Sequence, residues 1–428
     1  MIYIYAFRTK NTRTSGGRSP ATRPHLNNRR KEILMKTKKL AILFVIISIA
    51  VLLSSCSTIP IRNPLPEKFG ETAQIPNIPR AKFWGDEAPS FAGAVYGQSR
   101  EKLMQEFPKV FGREHNYLAL SGGGAKGAFG AGLLVGWSAA GTRPEFTMVT
   151  GISTGALMAP FIFLGTAYDA LLKEMYTTYS TKDLVIKRNV LSALTGSSAV
   201  DTTPMRNMLA KYVTQQIIEA IAVEYKKGRR LWIGTTNLDA QRPVIWNIGL
   251  IASSGQPGAL ELIRKVILAS ASIPAIFPPV LIEVEADGMR YDEMHVDGGT
   301  ASQVFLYPAD LHWNLVVQHL EVKGTPKVYV IRNSFLKPDW EMVHPKILPI
   351  AGVSINSLIR TQGIGDMYRI YLDCQRDGLD FNLAYIPEDF DLKPKEDFDP
   401  VFMGKLFNLG YQLARNGYPW GKAPPGFN

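Results

Sequence analysis

The stretch LALSGGGAKGAFGAGLLVGW, residues 118–137, limits the possible folds more than any other part of the chain. It places a run of glycines between an apolar segment typical of a buried strand and an apolar segment typical of a helix. Gly122, Gly124 and Gly127 have the G-x-G-x-x-G spacing of a dinucleotide-binding turn, in which main-chain N–H groups hold a pyrophosphate. The same N–H groups could instead stabilise an anion that forms only during a reaction.

Apolar strands alternate with helical patterns from residue 116 onward. The predicted strands are YLAL, FTMVT, RLWIGTTNL, KVYVIRN and FNLAYIP, and the predicted helices cover 132–139, 154–164, 355–374 and 401–415. The segment LIEVEADGMRYDEMHVDGG is predicted to form a hairpin, because Asp287-Gly288 favours a tight turn. This alternation predicts an α/β fold with a mainly parallel sheet between helices.

A second motif, GISTG at 151–155, follows the FTMVT strand directly and precedes a helical pattern. A G-x-S-x-G pentapeptide between a strand and a helix is typical of a nucleophile elbow, in which flanking glycines let the backbone turn sharply. Gly151 and Gly155 would allow that turn, and Ser153 would project from a helix N-terminus that favours developing negative charge. A structural turn with a capping serine is the alternative interpretation.

A nucleophilic serine needs a base, and the histidines that follow Ser153 have no distinctive setting. The segment MHVDGGT instead ends the predicted hairpin with Asp297, followed at once by Gly298 and Gly299. A carboxylate at a strand end, with backbone room beside it, can reach a neighbouring loop. We therefore expect Asp297→Asn to abolish activity and His295→Ala largely to spare it.

Three motifs in this order, GGGAKG at 122–127, GISTG at 151–155 and DGG at 297–299, resemble the patatin-like phospholipase family. SIPAIFPPV, VDTTPMRNML and GTTNLDAQRPVIW are also similar to its members, and the resemblance covers roughly residues 116–333. The family implies a three-layer α/β fold and a Ser–Asp dyad, with no catalytic histidine, no metal and no cofactor.

Carried over residue by residue, the resemblance makes Ser153 the nucleophile and Asp297 the general base. The N–H groups of the glycine loop, Gly122, Gly123 and Gly124, would form the oxyanion hole, with Gly123 and Gly124 as the chief donors. Lys126 and Gly127 complete the first motif, and Lys126 stands where the family usually has arginine, so the charge is kept and the planar fork is lost. The implied function is a serine acyl hydrolase that cleaves carboxylic esters of lipids through an acyl-enzyme.

Two other classes of function remain open at this point. The first is a surface lipoprotein that binds lipid without catalysis. The second is a nucleotide-binding protein that uses the glycine loop, which expects an acidic residue about 20 residues further on, at the end of the next strand. Glu145 is near that spacing but precedes the FTMVT strand, and the chain has no G-K-[ST] phosphate loop.

The formal net charge of +11 comes almost entirely from the N-terminal part of the chain. Residues 57–428 hold 37 basic and 36 acidic side chains, so the body of the protein is nearly neutral. A nucleic-acid-binding domain would be expected to carry a basic footprint. We therefore expect no nucleic-acid partner.

The segment MKTKKLAILFVIISIAVLLSSC, which begins at Met35, has the parts of a secretory signal. Its ending resembles a bacterial lipoprotein box, in which Cys56 would be lipidated; an uncleaved anchor helix is the alternative. We expect a lipid-anchored protein of the bacterial cell envelope, on the outer membrane. Cys374 would then have no disulfide partner and is predicted to be a packed core thiol.

The predicted domain organisation follows from these segments. Residues 1–34 would be an untranslated or disordered extension, and 35–56 the signal. Residues 57–112, with six prolines between 57 and 90, would be a tether and lead-in, because proline-rich segments stay extended. The catalytic core would be 113–335, and 336–428 would pack on the same domain.

Overall fold

A computed structural model describes residues 34–46, 62–90, 92–93, 97–188, 198–338, 340 and 342–427. The chain divides into two units, Met1–Ile59 and Pro60–Asn428. In the first unit, residues 34–46 form an exposed helix. Among the described residues, no helix is both long and apolar enough to cross a bilayer. Cys56 and the end of the proposed signal lie outside the described residues, so lipidation stays a prediction.

The second unit contains all the strands found in the described residues. They are β1 (Lys82–Trp84), β2 (Asn116–Leu120), β3 (Met148–Gly151), β4 (Ile186–Lys187), β5 (Val200–Asp201), β6 (Arg230–Asn237), β7 (Arg242–Asn247), β8 (Val280–Ala286), β9 (Met289–Asp297), β10 (Lys327–Arg332) and β11 (Asp380–Tyr385). The strands predicted from sequence all form. The Asp287-Gly288 hairpin also forms between β8 and β9, with both residues at positive φ.

The helices of this unit connect and cover the strands. They are α1 (Arg100–Glu106), α2 (Gly127–Ala139), α3 (Thr154–Leu164), α4 (Asp169–Thr177), α5 (Thr181–Leu184), α6 (Thr203–Tyr212), α7 (Gln215–Lys226), α8 (Ile248–Ser253), α9 (Ala259–Ser270), α10 (Trp313–His319), α11 (Ile347–Asp377) and α12 (Pro400–Arg415). The helix predicted at 154–164 forms with those bounds. The helices predicted at 132–139 and 355–374 are longer, as α2 and α11.

Nine strands form one sheet, along which the order is β1-β7-β6-β3-β2-β10-β11, with β9 paired to β6 and β8 to β9. The neighbours β6, β3, β2, β10 and β11 are parallel, and the remaining pairs are antiparallel. The loops that leave the carboxyl ends of the parallel strands therefore meet at one edge of the sheet.

Alternate side chains of the central strands enter two different hydrophobic cores. Leu118 and Leu120 of β2 pack in the core that contains side chains of α2 and α12. Tyr117 and Ala119 pack in the core that contains side chains of α10 and α11, where Cys374 is a buried free thiol. Because a strand alternates its faces, the sheet is the middle layer of three. The predicted α/β fold is confirmed.

Helix α2 begins at Gly127, directly after the glycine loop, and packs closely against α12. A Cβ atom on Gly132 would lie 2.0 Å from the Phe407 carbonyl oxygen, and one on Gly136 would lie 2.2 Å from that of Tyr411. The glycines of α2 thus serve helix packing.

The segment predicted as a proline-rich tether is packed on the sheet from residue 62 onward. Arg62 forms an ion pair with Asp239, and β1 pairs with β7 at the end of the sheet. Proline is compatible with such a position because an edge of the sheet needs fewer N–H donors. The expectation of an extended tether therefore differs from the structure over this part of the lead-in.

Candidate active site

Strand register brings the three sequence motifs to the same level of the sheet. Gly151 of β3 pairs with Leu120 of β2 on one side and with Ile233 of β6 on the other. Two residues further along, this register places Ser153 level with the glycine loop. It also places Ser153 level with Thr235, and Asp297 is paired with Thr235 across β6. The topology thus delivers a serine, a carboxylate and a glycine loop to one edge.

Ser153 occupies a strained turn between β3 and α3. Its φ and ψ are 54° and −122°, a conformation that costs a non-glycine residue about 1–3 kcal/mol. The Ser153 N–H donates to the Ser270 hydroxyl at 3.0 Å, and that hydroxyl donates to the Gly234 carbonyl at 2.6 Å. The turn is therefore held from outside, with Ser153 at the N-terminus of α3, where partial positive charge favours an anion.

Asp297 is the last residue of β9, and only 5% of its surface is exposed. Its Oδ1 accepts a hydrogen bond from the Gly299 N–H at 2.7 Å. The main chain is fixed as well, because the Asp297 N–H donates to the Ser272 carbonyl at 2.8 Å and the Thr236 hydroxyl donates to the Asp297 carbonyl at 3.0 Å. The carboxylate is thus held in a defined place beside the elbow.

Burial raises the pKa of Asp297 from 3.8 to about 7. Hydrogen bonds from the Ser153 hydroxyl and the Gly299 N–H stabilise the carboxylate and oppose that rise in pKa. A carboxyl group with a pKa near neutral pH is a far better base than a solvated aspartate, because its basicity matches the working pH. The dry setting therefore suits Asp297 to accept a proton from Ser153.

The glycine loop supplies main-chain donors, and the structure corrects one expected donor. The Gly122 N–H donates to the Gln303 carbonyl at 3.0 Å, so it is already occupied. The N–H groups of Gly123 and Gly124 donate to no atom of the described residues. Gly123 has a φ of 156° and Gly124 a φ of 55°, and both line the same cavity as Ser153. The candidate oxyanion donors are therefore these two.

The remaining motif glycines permit close approaches of backbone and side chains. A Cβ atom would come within 2.7 Å of another residue at each of them: Gly127 against Thr154, Gly151 against Gly155, Gly155 against Leu120, Gly298 against Gly234, and Gly299 against Gln303. Lys126 lies near the end of the loop with its Nζ 5.2 Å from the centroid of the Phe335 ring. It also lines the cavity.

Two residues that sequence reasoning missed, the half-buried Gln303 and the buried Asn333, hold the loops together. The Gln303 main-chain carbonyl accepts from the Gly122 N–H, and its side-chain Nε2 donates to the Gly299 carbonyl at 2.8 Å. Asn333 donates from Nδ2 to the Ser121 carbonyl at 3.0 Å and accepts from the Gly130 N–H at 3.1 Å. Both residues follow strands or turns without a recognisable spacing, and only the fold brings them to the site.

Ser153, Asp297 and the glycine loop line one cavity of about 440 Å³. The cavity is also lined by the end of β10, the residues that follow it and α11, including Arg332 and Arg360. Another cavity, of about 230 Å³, lies where β2, β3 and β6 begin and is lined by Tyr117, Met148 and Arg230. It contains neither Ser153 nor Asp297, so the chemistry belongs to the first cavity.

A small apolar pocket adjoins the cavity at Ser153 and Gly124. Its volume is about 50 Å³, and four of its lining side chains are methionines: Met175, Met205, Met208 and Met403. Methionine side chains are unbranched and flexible, so they can rearrange around an apolar ligand. Ser153 therefore lies between a polar cavity and an apolar pocket.

His295 lies in a buried network behind the site. Its Nε2 lies 3.1 Å from the Glu293 carboxylate and its Nδ1 lies 3.0 Å from the Thr235 hydroxyl, while Lys82 pairs with Glu293 at 2.8 Å. Burial lowers the pKa of His295, so it is neutral at physiological pH. None of the described residues that line the cavity is a histidine. Nor do the described residues contain a cluster of ligands suited to a metal ion.

The fold is that of an α/β domain with a mainly parallel sheet between helices. Residues 118–310 match the family model of the patatin-like phospholipases. Over these residues the chain is similar to a family whose members are generally lipid acyl hydrolases.

No curated protein matches the chain. Among solved structures, the chain is similar to VipD from Legionella pneumophila, with 14% sequence identity and a TM-score of 0.35. That match covers 71% of this chain and 66% of the VipD chain, which is slightly less than two thirds of its length.

Proposed function

We propose that this protein is a serine acyl hydrolase that cleaves carboxylic ester bonds of lipids through a Ser153–Asp297 dyad. The observation that carries the proposal is that Ser153, the buried Asp297 carboxyl and two unoccupied N–H groups line one cavity. The adjoining apolar pocket suits an acyl chain, because it begins at the nucleophile.

The proposed reaction begins when Ser153 attacks the ester carbonyl carbon and Asp297 accepts the hydroxyl proton. The carbonyl oxygen becomes an anion and accepts hydrogen bonds from the Gly123 and Gly124 N–H groups, each worth about 3 kcal/mol in comparable sites. The intermediate collapses to an acyl-enzyme as the alcohol leaves with the proton from Asp297. Water, deprotonated by Asp297, then attacks the acyl-enzyme and releases the fatty acid.

Hydrolysis of a short-chain p-nitrophenyl ester and of a phospholipid tests this proposal. Ser153→Ala should lower kcat by at least about a thousandfold, because a nucleophile cannot be replaced by the rest of the site. Ser253→Ala is the matched control, because the Ser253 hydroxyl only donates to the Leu250 carbonyl away from the cavity. Equal hydrolysis by wild type and Ser153→Ala would exclude Ser153 as the nucleophile, and no hydrolysis above background by wild type would instead favour a lipoprotein that binds lipid without catalysis.

We also propose that lipid on Cys56 anchors the protein to the bacterial outer membrane. Support comes from the order of a lysine-rich start, an apolar run and Leu-Ser-Ser-Cys. Two anchoring signals or a multiply acylated residue are needed for stable attachment. Membrane fractionation after labelling with a fatty acid should show Cys56→Ala unlabelled and released, and a labelled or membrane-bound variant would contradict the anchor.

A further inference from the structure

Two arginines line the active-site cavity without a carboxylate partner. Arg332 is only 4% exposed, and its Nε has no hydrogen-bond partner. Its Nη2 donates to the Arg360 carbonyl at 3.3 Å. Within the described part of the chain, no carboxylate forms an ion pair with Arg332 or Arg360. A buried guanidinium in this state is costly, because water has been removed and no anion replaces it.

The groups around Arg332 leave its positive charge without a neutralising anion. Burial, together with a smaller effect of the neighbouring Arg360, lowers the pKa of Arg332 to about 10, against an opposing effect of Asp366. Asp366 itself is occupied, because it accepts from the Gln303 N–H at 2.6 Å and lies 3.4 Å from Arg369. The two arginines thus form a cationic pair, with space in front of it inside the cavity.

The arginine pair lies one side chain away from the nucleophile. Gln303 connects the two places: a Cβ atom on Gly122 would lie 2.9 Å from its Oε1 and 3.2 Å from Ser153 Cβ. At its other end, a Cβ atom on Gly363 would lie 3.2 Å from Gln303 Cβ and 2.8 Å from Arg332 Nη1. A glycerophospholipid likewise carries an ester carbonyl and a phosphate close together, separated by only a few bonds of glycerol.

The other charged groups of the cavity also favour an anionic ligand. Asp297 is the only carboxylate among the described lining residues, and the cations are Lys126, Arg332, Lys337 and Arg360. Lys337 is already paired with Glu388 at 2.8 Å. The lining aromatic side chain, Phe335, lies against Lys126. A choline or ethanolamine head group needs an acidic or aromatic partner. Among the described lining residues, only Asp297 and Phe335 are of these kinds.

We propose that Arg332 and Arg360 bind the phosphate of an anionic glycerophospholipid while its ester carbonyl lies at Ser153. The proposal rests on the hydrolase function proposed above and specifies its substrate. Arginine suits this role, because its planar fork binds phosphate with two parallel hydrogen bonds. The site selects anionic head groups over zwitterionic ones, since a head-group ammonium would face the arginine pair without a partner.

Steady-state hydrolysis of monomeric, short-chain substrates tests the proposal without the effect of a charged lipid surface. The substrates are dihexanoyl phosphatidylglycerol, dihexanoyl phosphatidylcholine and an uncharged p-nitrophenyl ester, each below its micelle concentration. Wild type should have the higher kcat/KM on phosphatidylglycerol. Arg360→Met should reduce that preference by about ten- to a hundredfold, mainly through KM, because a charge-assisted hydrogen bond is lost.

Arg113→Met is the matched control, because it removes the same charge from an exposed position. Arg113 precedes β2, whereas the glycine loop of the cavity follows β2. It should keep the preference. Arg332→Lys keeps the charge and loses the fork, so it should also raise KM for phosphatidylglycerol selectively, and thermal melts identify any variant that fails to fold. Inorganic phosphate is added as a competitor to distinguish a head-group site from a site for free phosphate.

The outcomes distinguish head-group binding, free-phosphate binding and a failure of the hydrolase function. Equal loss on all three substrates, or an unchanged preference in folded Arg360→Met, would overturn head-group binding while leaving the hydrolase function intact. Arg360-dependent inhibition by inorganic phosphate without a preference for phosphatidylglycerol would indicate free phosphate as the ligand and would also overturn it. No hydrolysis of any ester by wild type would refute the hydrolase function itself.

Discussion

Asp297→Asn should abolish the proposed hydrolysis and stabilise the fold at alkaline pH. Asparagine has nearly the same shape, and its Oδ1 can still accept the hydrogen bond that the Gly299 N–H now donates at 2.7 Å to the carboxylate. What changes is the charge, because an amide cannot become an anion in the buried site. The substitution therefore isolates the cost of placing a carboxylate where a base is needed.

The size of this cost follows from the pKa of Asp297. Burial raises it from 3.8 to about 7, so the folded protein holds this proton more tightly than the unfolded chain. Stability from this group is fully present below pH 4 and declines as pH rises toward 7. A shift of about three units corresponds to at most about 4 kcal/mol of destabilisation above pH 7.

Urea unfolding of wild type and Asp297→Asn at several pH values measures this difference. Near pH 4 the two free energies of unfolding should agree within about 1 kcal/mol, because wild-type Asp297 is then protonated in the folded state. At pH 8 the variant should be more stable by about 2–4 kcal/mol. A variant that is equally or less stable at pH 8, or a difference that does not vary with pH, would refute the assignment of a buried, high-pKa base.

Three further outcomes follow from the same geometry. The wild-type kcat/KM should rise about tenfold per pH unit below pH 7 and level off above it, because only the Asp297 carboxylate accepts a proton; a pH-rate profile governed by a group near pH 4 would contradict this. Gly123→Ala should lower kcat by about a hundredfold or more, because its Cβ would lie 2.1 Å from the Asn333 carbonyl oxygen and displace an oxyanion donor; unchanged kcat would exclude the loop. His295→Ala should lower the free energy of unfolding by about 1–3 kcal/mol, since Glu293 loses a buried partner, and should leave kcat of the folded protein within a few-fold; a collapse of kcat would restore a histidine-based mechanism.

The sequence predicts the parts of the site that are local in the chain. Ser153 is recognisable because the strand, the turn and the helix are contiguous, and Asp297 because it ends a hairpin with a clear turn signal. The sheet topology then explains why Ser153 and Asp297 lie close together. Ser153 follows a central parallel strand, and Asp297 ends β9, which pairs with β6, so both residues lie at the same edge of the sheet. These elements were predictable because periodicity and turn chemistry are properties of short segments.

The parts that long-range contacts decide were not predictable. Gln303 and Asn333 belong to no sequence motif. They reach the site only because β10 pairs with β2 and because Asp366 of α11 accepts a hydrogen bond from the Gln303 N–H. The sequence predicts that the Gly122 N–H faces an oxyanion, but in the structure this N–H donates to the Gln303 carbonyl. The arginine pair was missed for the same reason, since Arg332 and Arg360 meet only in the folded chain.

Active-site labelling followed by mass spectrometry tests the central claim most directly. A long-chain alkyl fluorophosphonate reacts with a serine only where a base and oxyanion donors activate it. We predict one adduct per wild-type chain, on the peptide that contains Ser153, with labelling abolished in Ser153→Ala and strongly slowed in Asp297→Asn. Labelling of another serine, or equal labelling of the three proteins, would contradict a Ser153–Asp297 dyad.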